Sequence, residues 1–223
     1  MRRSELAGRI DHTLLGPTAT RDEVVSVCNE AVQVAAAAVC VNPCHAVLAR
    51  DTLAGSRIKL CIVIGFPHGM TTSTIKVTEA REAIAAGADE LDMVINVAAL
   101  KEGAHDAVRD EIREVCNVAR GADRPVAVKV ILETALLTDA EKVAGAKLAK
   151  EAGANFVKTS TGFGPGGATV EDVALLRETV GEDMGVKASG GIRNYESAVA
   201  MIEAGASRIG ASRTLAILEG ADG

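Results

Sequence analysis

The stretch Glu151–Ser160, EAGANFVKTS, runs from a helix end through a glycine, an alanine and a polar residue into a strand. The same grammar returns at Ala85–Val94, AAGADELDMV, and at Glu203–Ser212, EAGASRIGAS. A glycine just past the last helical residue is the common way to stop a helix, and its return in one context means that one supersecondary unit is repeated. Working outward, periodicity predicts eight short strands: Ile10–Leu14, Ala37–Asn42, Lys59–Phe66, Glu90–Asn96, Pro125–Leu132, Asn155–Thr161, Gly185–Gly190 and Ser207–Ser212. Helices fill the gaps. TATRDEVVSVCNEAV, TDAEKVAGAKLAKEAG and TVEDVALLRETVG each open on a threonine cap and early acids. Eight βα units in 223 residues predict a (β/α)8 TIM barrel of α/β class, one domain over residues 1–223. A doubly wound sheet is the other arrangement such alternation allows. No Pro/Ser linker or charge block divides the chain.

Alternation within the strands says what the interior holds, because successive side chains point to opposite faces. In LDMVIN, Leu91, Met93 and Ile95 share one face and leave Asp92, Val94 and Asn96 on the other. Val126, Val128 and Val130 oppose Ala127 and Lys129; Val186 and Ala188 oppose Lys187 and Ser189; Val157 and Thr159 oppose Phe156, Lys158 and Ser160. With the aliphatic faces packed on helices, Asp92, Lys129, Lys158 and Lys187 converge inside the barrel. Lysine is almost never buried without a partner, and the chain has only nine. Three in strand centres therefore mark a site, expected at the C-terminal ends of the strands.

Composition narrows the ligand. Net charge is −6 and the isoelectric point about 5.3, which argues against nucleic acid or an anionic membrane as partner. Aromatics are 2% with no tryptophan, so stacking platforms for bases or neutral sugars are scarce. The longest apolar run, VQVAAAAVCV, is broken by Gln33 and falls short of the roughly 18 residues of a membrane helix. The opening MRRSELAGRIDHTLL has no apolar stretch behind its arginines and does not read as a secretory signal. Five scattered cysteines suggest a reducing compartment, and a cytoplasmic location is expected. Cys40, Cys44 and His45 lie close in CVNPCH, but their spacing matches no zinc pattern, and buried thiols are the plainer reading.

The chemistry follows from the lysines. In a low-dielectric interior beside another cation, an ammonium is disfavoured. A neutral amine attacks carbonyls and forms a Schiff base, an electron sink for carbon–carbon cleavage. Lys158 and Lys187 lie on adjacent strands, and Asp92 can move a proton as general acid and base. The loops TGFGPGG, SGGI and GAS supply glycines and hydroxyls suited to a phosphate. Singly these are tight turns; three consecutive loops together point to a phosphate handle.

At this point DHTLL, AVCVNP, IGFPHG, ELDMVINV, VKVILET, FVKTSTGF, KASGGIR and RIGAS, in order from Ile10 to about Ser212, together resemble the deoxyribose-phosphate aldolases, a class I aldolase family. The pairing of VKTSTGF with VKASGGI is specific. The resemblance implies that Lys158 forms the Schiff base, that Lys187 favours its neutral form and assists proton transfer, and that Asp92 donates and accepts protons through a water. Lys129 is implied as a supporting charge near the substrate hydroxyls, Cys40 and Asn42 as lining the aldehyde side, and Gly162, Gly190, Gly191, Gly210 and Ser212 as phosphate-binding. The implied reaction is reversible cleavage of 2-deoxy-D-ribose 5-phosphate to acetaldehyde and D-glyceraldehyde 3-phosphate, in deoxyribose catabolism, without metal or organic cofactor. A homo-oligomer, dimer or tetramer, is expected.

Two departures stand out. Some members carry consecutive serines where this chain has Ser212 and Arg213, so Arg213 either adds charge at the phosphate or points away. Some end in a catalytic tyrosine; this chain ends LEGADG, and its only tyrosine, Tyr195, starts a helix. Two other readings remain at this level: a Schiff-base barrel aldolase acting on a keto acid or ketose phosphate, and a non-catalytic sugar-phosphate binding protein.

Overall fold

The computed structural model describes residues 1–221; the last two positions of the LEGADG ending lie outside the described residues. Elements follow in the order α1 (Arg3–Ala7), β1 (Ile10–Leu14), α2 (Arg21–Val34), β2 (Ala38–Val41), α3 (Ala46–Thr52), β3 (Lys59–Ile64), α4 (Ser73–Ala85), β4 (Glu90–Val94), α5 (Val97–Lys101), α6 (His105–Arg120), β5 (Ala127–Ile131), α7 (Asp139–Ala152), β6 (Phe156–Lys158), α8 (Val170–Val180), β7 (Gly185–Ser189), α9 (Tyr195–Glu203), β8 (Arg208–Ala211) and α10 (Thr214–Glu219). The eight strands are all parallel and close in sequence order, β8 pairing with β1. This is the TIM barrel expected from the repeated unit, and the doubly wound alternative is set aside.

The punctuation works as the sequence implies. Gly87, Gly153 and Gly205, the glycines of the three repeated stretches, have φ of +105°, +88° and +113°, the region that favours glycine. Thr20 and Thr138 each accept from the backbone N–H of a glutamate three residues on, Glu23 and Glu141, whose carboxylates accept in return.

Several strands are shorter than expected, each for a local reason. β5 starts at Ala127 because Pro125 has no N–H to give the ladder. β3 stops at Ile64 because Gly65 turns to φ +62° and its N–H donates to the Glu79 carboxylate (2.7 Å). β6 keeps only three residues. Beyond Lys158, the Thr159 hydroxyl binds the Ser189 backbone, and the backbone N–H of Thr161 donates to Glu133, so side chains take over from the ladder.

The main core lies between the strands and the helices. Leu91, Met93 and Ile95, Val128 and Val130, Val157, Val186 and Ala188 all pack there, buried. Inside the barrel a smaller apolar patch of Leu15, Ala38, Cys40, Cys61 and Val63 fills the side formed by β1 to β3. The remainder of the interior is charged.

Candidate active site

Asp92, from the middle of β4, is wholly buried and takes hydrogen bonds from three lysines. Lys129 on the adjacent β5 donates to Oδ1 at 2.7 Å; Lys158 and Lys187 both donate to Oδ2, each at 2.7 Å. Register explains the convergence: Asp92 pairs with Lys129 across β4–β5, and Lys158 with Lys187 across β6–β7. Thus four side chains picked out by alternation meet around one carboxylate.

Below this carboxylate lies a second charged layer. Asp11 on β1 accepts from Lys187 in a very short contact and from Arg208 at 2.6 Å. Lys129 also reaches Glu90 at 2.6 Å, and Arg208 reaches Glu90 at 3.2 Å. The interior therefore holds three carboxylates against four cations. Lys158 has the fewest carboxylate partners of the four, a single oxygen that it shares with Lys187. It is also the one among them that lines an open cavity. If Lys158 gives up its proton, three cations still face three carboxylates.

Titration behaviour follows from this geometry. Burial alone would push the Asp92 carboxyl up, but Lys129, Lys158 and Lys187 outweigh it and hold it well below the usual range. Asp11 is held down in the same way by Lys187, Lys129 and Arg208 against its own burial. Lys129 and Lys187 are pushed above the ordinary lysine value, burial being overcome by Asp92 for the first and by Asp11 and Asp92 for the second. Both remain ammonium groups at neutral pH.

A cavity of about 330 Å³ opens over Lys158. Gly162, Gly190, Gly191, Gly210 and Ser212, the candidate phosphate residues, all line it. The backbone N–H groups of Gly162, Gly190, Gly191 and Ser212 are taken by no backbone carbonyl among the described residues. Packing leaves no room for a side chain at Gly167 or Gly210, while Gly191 faces open space. A Cβ on Gly167 would come 2.2 Å from the Gly190 carbonyl oxygen, and one on Gly210 would meet Lys187 Cε at 3.1 Å. A second cavity of about 290 Å³, bounded by Pro67, Met70, Val94, Glu133, Thr161 and Phe163, adjoins the first across Thr161 and Phe163.

Other expected residues are placed differently. Lys129 lines neither cavity; it is fully buried, donating to Asp92 and reaching Glu90 at 2.6 Å and Asp11 at 3.5 Å. Cys40 is buried in the interior patch, its thiol pulled below the usual range by a hydrogen bond from Cys61, against burial. Asn42 donates to the Leu15 carbonyl (3.1 Å) and so reaches the cavity only through its rim. Arg213 is exposed and outside the cavity lining, whereas Arg193, from KASGGIR, lines it with no carboxylate partner among the described residues. Cys44 is exposed, separated from buried Cys40, so CVNPCH forms no single cluster. Donor atoms of Cys61 lie close to those of Cys40 and Asp92, and to those of Asp11 and Glu90. The ammonium of Lys129, 3.3 Å from Cys61, 2.6 Å from Glu90 and 2.7 Å from Asp92, sits among them as their counter-ion.

Asp11, Glu90, Arg208 and Arg193 escaped the sequence reading. For Asp11 a signal existed, since Ile10 packs outward and its neighbour must then point in.

Comparison with known proteins agrees with this geometry. The chain is 56% identical over 214 residues to a deoxyribose-phosphate aldolase of Caldanaerobacter subterraneus subsp. tengcongensis, covering 96% of this chain and 92% of the relative. It is 56% identical over 219 residues to one of Thermococcus gammatolerans, covering 97% and 96%. A tetrameric deoxyribose phosphate aldolase of Aeropyrum pernix superposes with a TM-score of 0.91 at 36% identity, over 97% of this chain and 91% of that one. Residues 7–220 match the family described as DeoC/LacD family aldolase. With a lysine-lined barrel and near-complete coverage by its members, the chain belongs to the DeoC/LacD aldolase family.

Proposed function

We propose that the protein is a class I deoxyribose-phosphate aldolase that cleaves 2-deoxy-D-ribose 5-phosphate to acetaldehyde and D-glyceraldehyde 3-phosphate, reversibly, through a Schiff base on Lys158. The observation that carries this reading is the position of Lys158. It lines the same cavity as Gly162, Gly190, Gly191 and Arg193, while its amine rests on an oxygen shared with Lys187. In this site the phosphate sits against the glycine loops and the open-chain aldehyde reaches Lys158.

The neutral amine of Lys158 attacks the aldehyde carbon, and loss of water gives the iminium. Removal of the proton on the third-carbon hydroxyl breaks the bond to the second carbon. Its electron pair moves into the iminium, giving an enamine, and glyceraldehyde 3-phosphate leaves. Protonation of the enamine carbon and hydrolysis free acetaldehyde and Lys158. Asp92, firmly anionic, is a poor proton store by itself. Its Oδ2 instead bridges Lys158 and Lys187, so the Asp92–Lys187 pair carries the proton as a unit. The iminium is the electron sink, so the residues supply the chemistry without a cofactor.

No helix of the described residues is long and apolar enough to cross a membrane, which fits action on a small phosphorylated sugar in the cytoplasm. A homo-oligomer is proposed on the likeness to the tetrameric relative. The test is a cleavage assay with 2-deoxyribose 5-phosphate in the presence of a chelator. Acetaldehyde release is expected. No release, with cleavage of a keto acid or ketose phosphate instead, overturns the reading.

A further inference from the structure

Glu133 is the last residue of KVILE and has no assigned part in the chemistry above. It adopts the left-handed conformation with φ +58°, which is uncommon for a non-glycine residue, and it is only 4% exposed. No lysine or arginine pairs with it among the described residues. Its Oε2 instead accepts two hydrogen bonds from Thr161, one from the backbone N–H at 3.2 Å and a very short one from the hydroxyl. The Thr161 hydroxyl in turn accepts from the Phe163 N–H at 3.0 Å. Gly164 closes over the carboxylate so tightly that a Cβ there would lie 2.9 Å from Glu133 Cδ. Oε1 has no hydrogen-bond partner among the described residues.

A buried carboxylate without a cation is costly and leans on the hydrogen bonds it accepts. Here they fix the segment that leaves Lys158 and turns at Gly162, which lines the cavity and whose N–H is taken by no backbone carbonyl among the described residues. Glu133 turns Thr161 into a rigid post on which the Gly162–Phe163 turn is hung. We infer that Glu133 is a positioning residue for phosphate recognition, acting through Thr161 to aim the backbone donors of the loop after β6. This inference rests on the proposed phosphate site and adds to it a residue outside the lining of the cavity over Lys158. Its effect is therefore expected on the preference for a phosphorylated over an unphosphorylated sugar.

The test compares cleavage of 2-deoxyribose 5-phosphate and 2-deoxyribose by the full-length enzyme and by Glu133→Ala, Glu133→Gln, Thr161→Val and the double variant Glu133→Ala/Thr161→Val. In Glu133→Ala the ratio of kcat/KM for the phosphate ester to that for the free sugar falls about tenfold, carried by KM, as expected for loss of one charge-assisted hydrogen bond. Glu133→Gln keeps an acceptor oxygen and regains most of the ratio. The double variant is no worse than Glu133→Ala, because both changes break the same link. Equal losses on the two sugars, or additive losses in the double variant, overturn the inference. If Glu133→Ala does not fold, Glu133→Gln and Thr161→Val carry the same comparison, with competitive inhibition by inorganic phosphate as a second readout. Arg193→Ala serves as the control on the site itself. If it too leaves the ratio intact, the phosphate site fails; if it lowers the ratio and the Glu133 variants do not, only the role of Glu133 fails.

Discussion

At the scale of single residues, Asp92 holds the site together, because it is the one anion that all three interior lysines reach. Asp92→Asn leaves those ammonium groups short of a partner and is expected to lower stability by about 3 kcal/mol. The pH dependence has a definite sign. A carboxyl held low in the folded state contributes stability that is complete above its unfolded value, about 3.9, and is lost as pH falls through the folded value. Lys129 and Lys187, raised when folded, contribute fully below about 10.4 and lose it only as pH climbs past their folded values. Asp92, Lys129 and Lys187 should therefore cost the native protein no stability in urea denaturation between pH 5 and pH 9. A loss of native stability traced to one of these groups within that window contradicts the assignment. Lys187→Leu removes the second ammonium from the shared Oδ2, so iminium trapping at pH 7 should slow and recover at higher pH; an unchanged trapping profile contradicts that role. The sequence made Lys158, Lys187, Lys129 and Asp92 legible because each alternates with aliphatic neighbours along its strand. Glu90 and Arg208 sit at strand starts, where a charge reads as surface. Arg193 lies in a loop, where no periodicity distinguishes a cavity-facing side chain. Alternation gives the face of a strand on which Lys129 lies and leaves its depth along the barrel axis open.

At the scale of elements, the strand ends that carry the site are tied down from outside the barrel. Lys76 on α4, fully buried, donates to the Val94 carbonyl at the end of β4 and pairs with Glu111 on α6 at 2.8 Å. Glu111 in turn accepts from the Asn96 N–H at 3.3 Å. Burial lowers Lys76 and raises Glu111, in each case outweighing the attraction between them. Such a pair is costly to halve and cheap to replace whole. Lys76→Met alone should cost about 3 kcal/mol in urea denaturation, and Lys76→Met/Glu111→Gln should recover part of it. Strictly additive losses would show that the two side chains do not act as a clamp. The loops are constrained just as closely. Gly190 sits at φ +88°, and a Cβ there would meet Gly167 Cα at 2.9 Å. Gly190→Ala should therefore raise KM for 2-deoxyribose 5-phosphate several-fold more than for 2-deoxyribose in steady-state assays, the strain being of order 1–3 kcal/mol. Proportional losses on both sugars would make this loop a turn only. Repeated glycines disclosed the βα units, whereas the shortening of β6 was hidden, since it depends on contacts to Glu133 in the loop after β5 and to Ser189 at the end of β7.

At the scale of the whole molecule, an acidic chain with net charge −6 surrounds a barrel interior with one more cation than carboxylates. The surplus sits where an anionic substrate has to arrive, and the cation with the weakest hold on a carboxylate is the one exposed to it. The account's central claim is that this cation, Lys158, is the nucleophile. The most direct test is borohydride reduction of the enzyme with acetaldehyde, followed by peptide mass mapping. The account predicts an ethyl group on the peptide containing Lys158, at one equivalent per chain, and none in Lys158→Arg, whose guanidinium stays protonated. An ethyl group on Lys129 or Lys187, or undiminished labelling of Lys158→Arg, would contradict it.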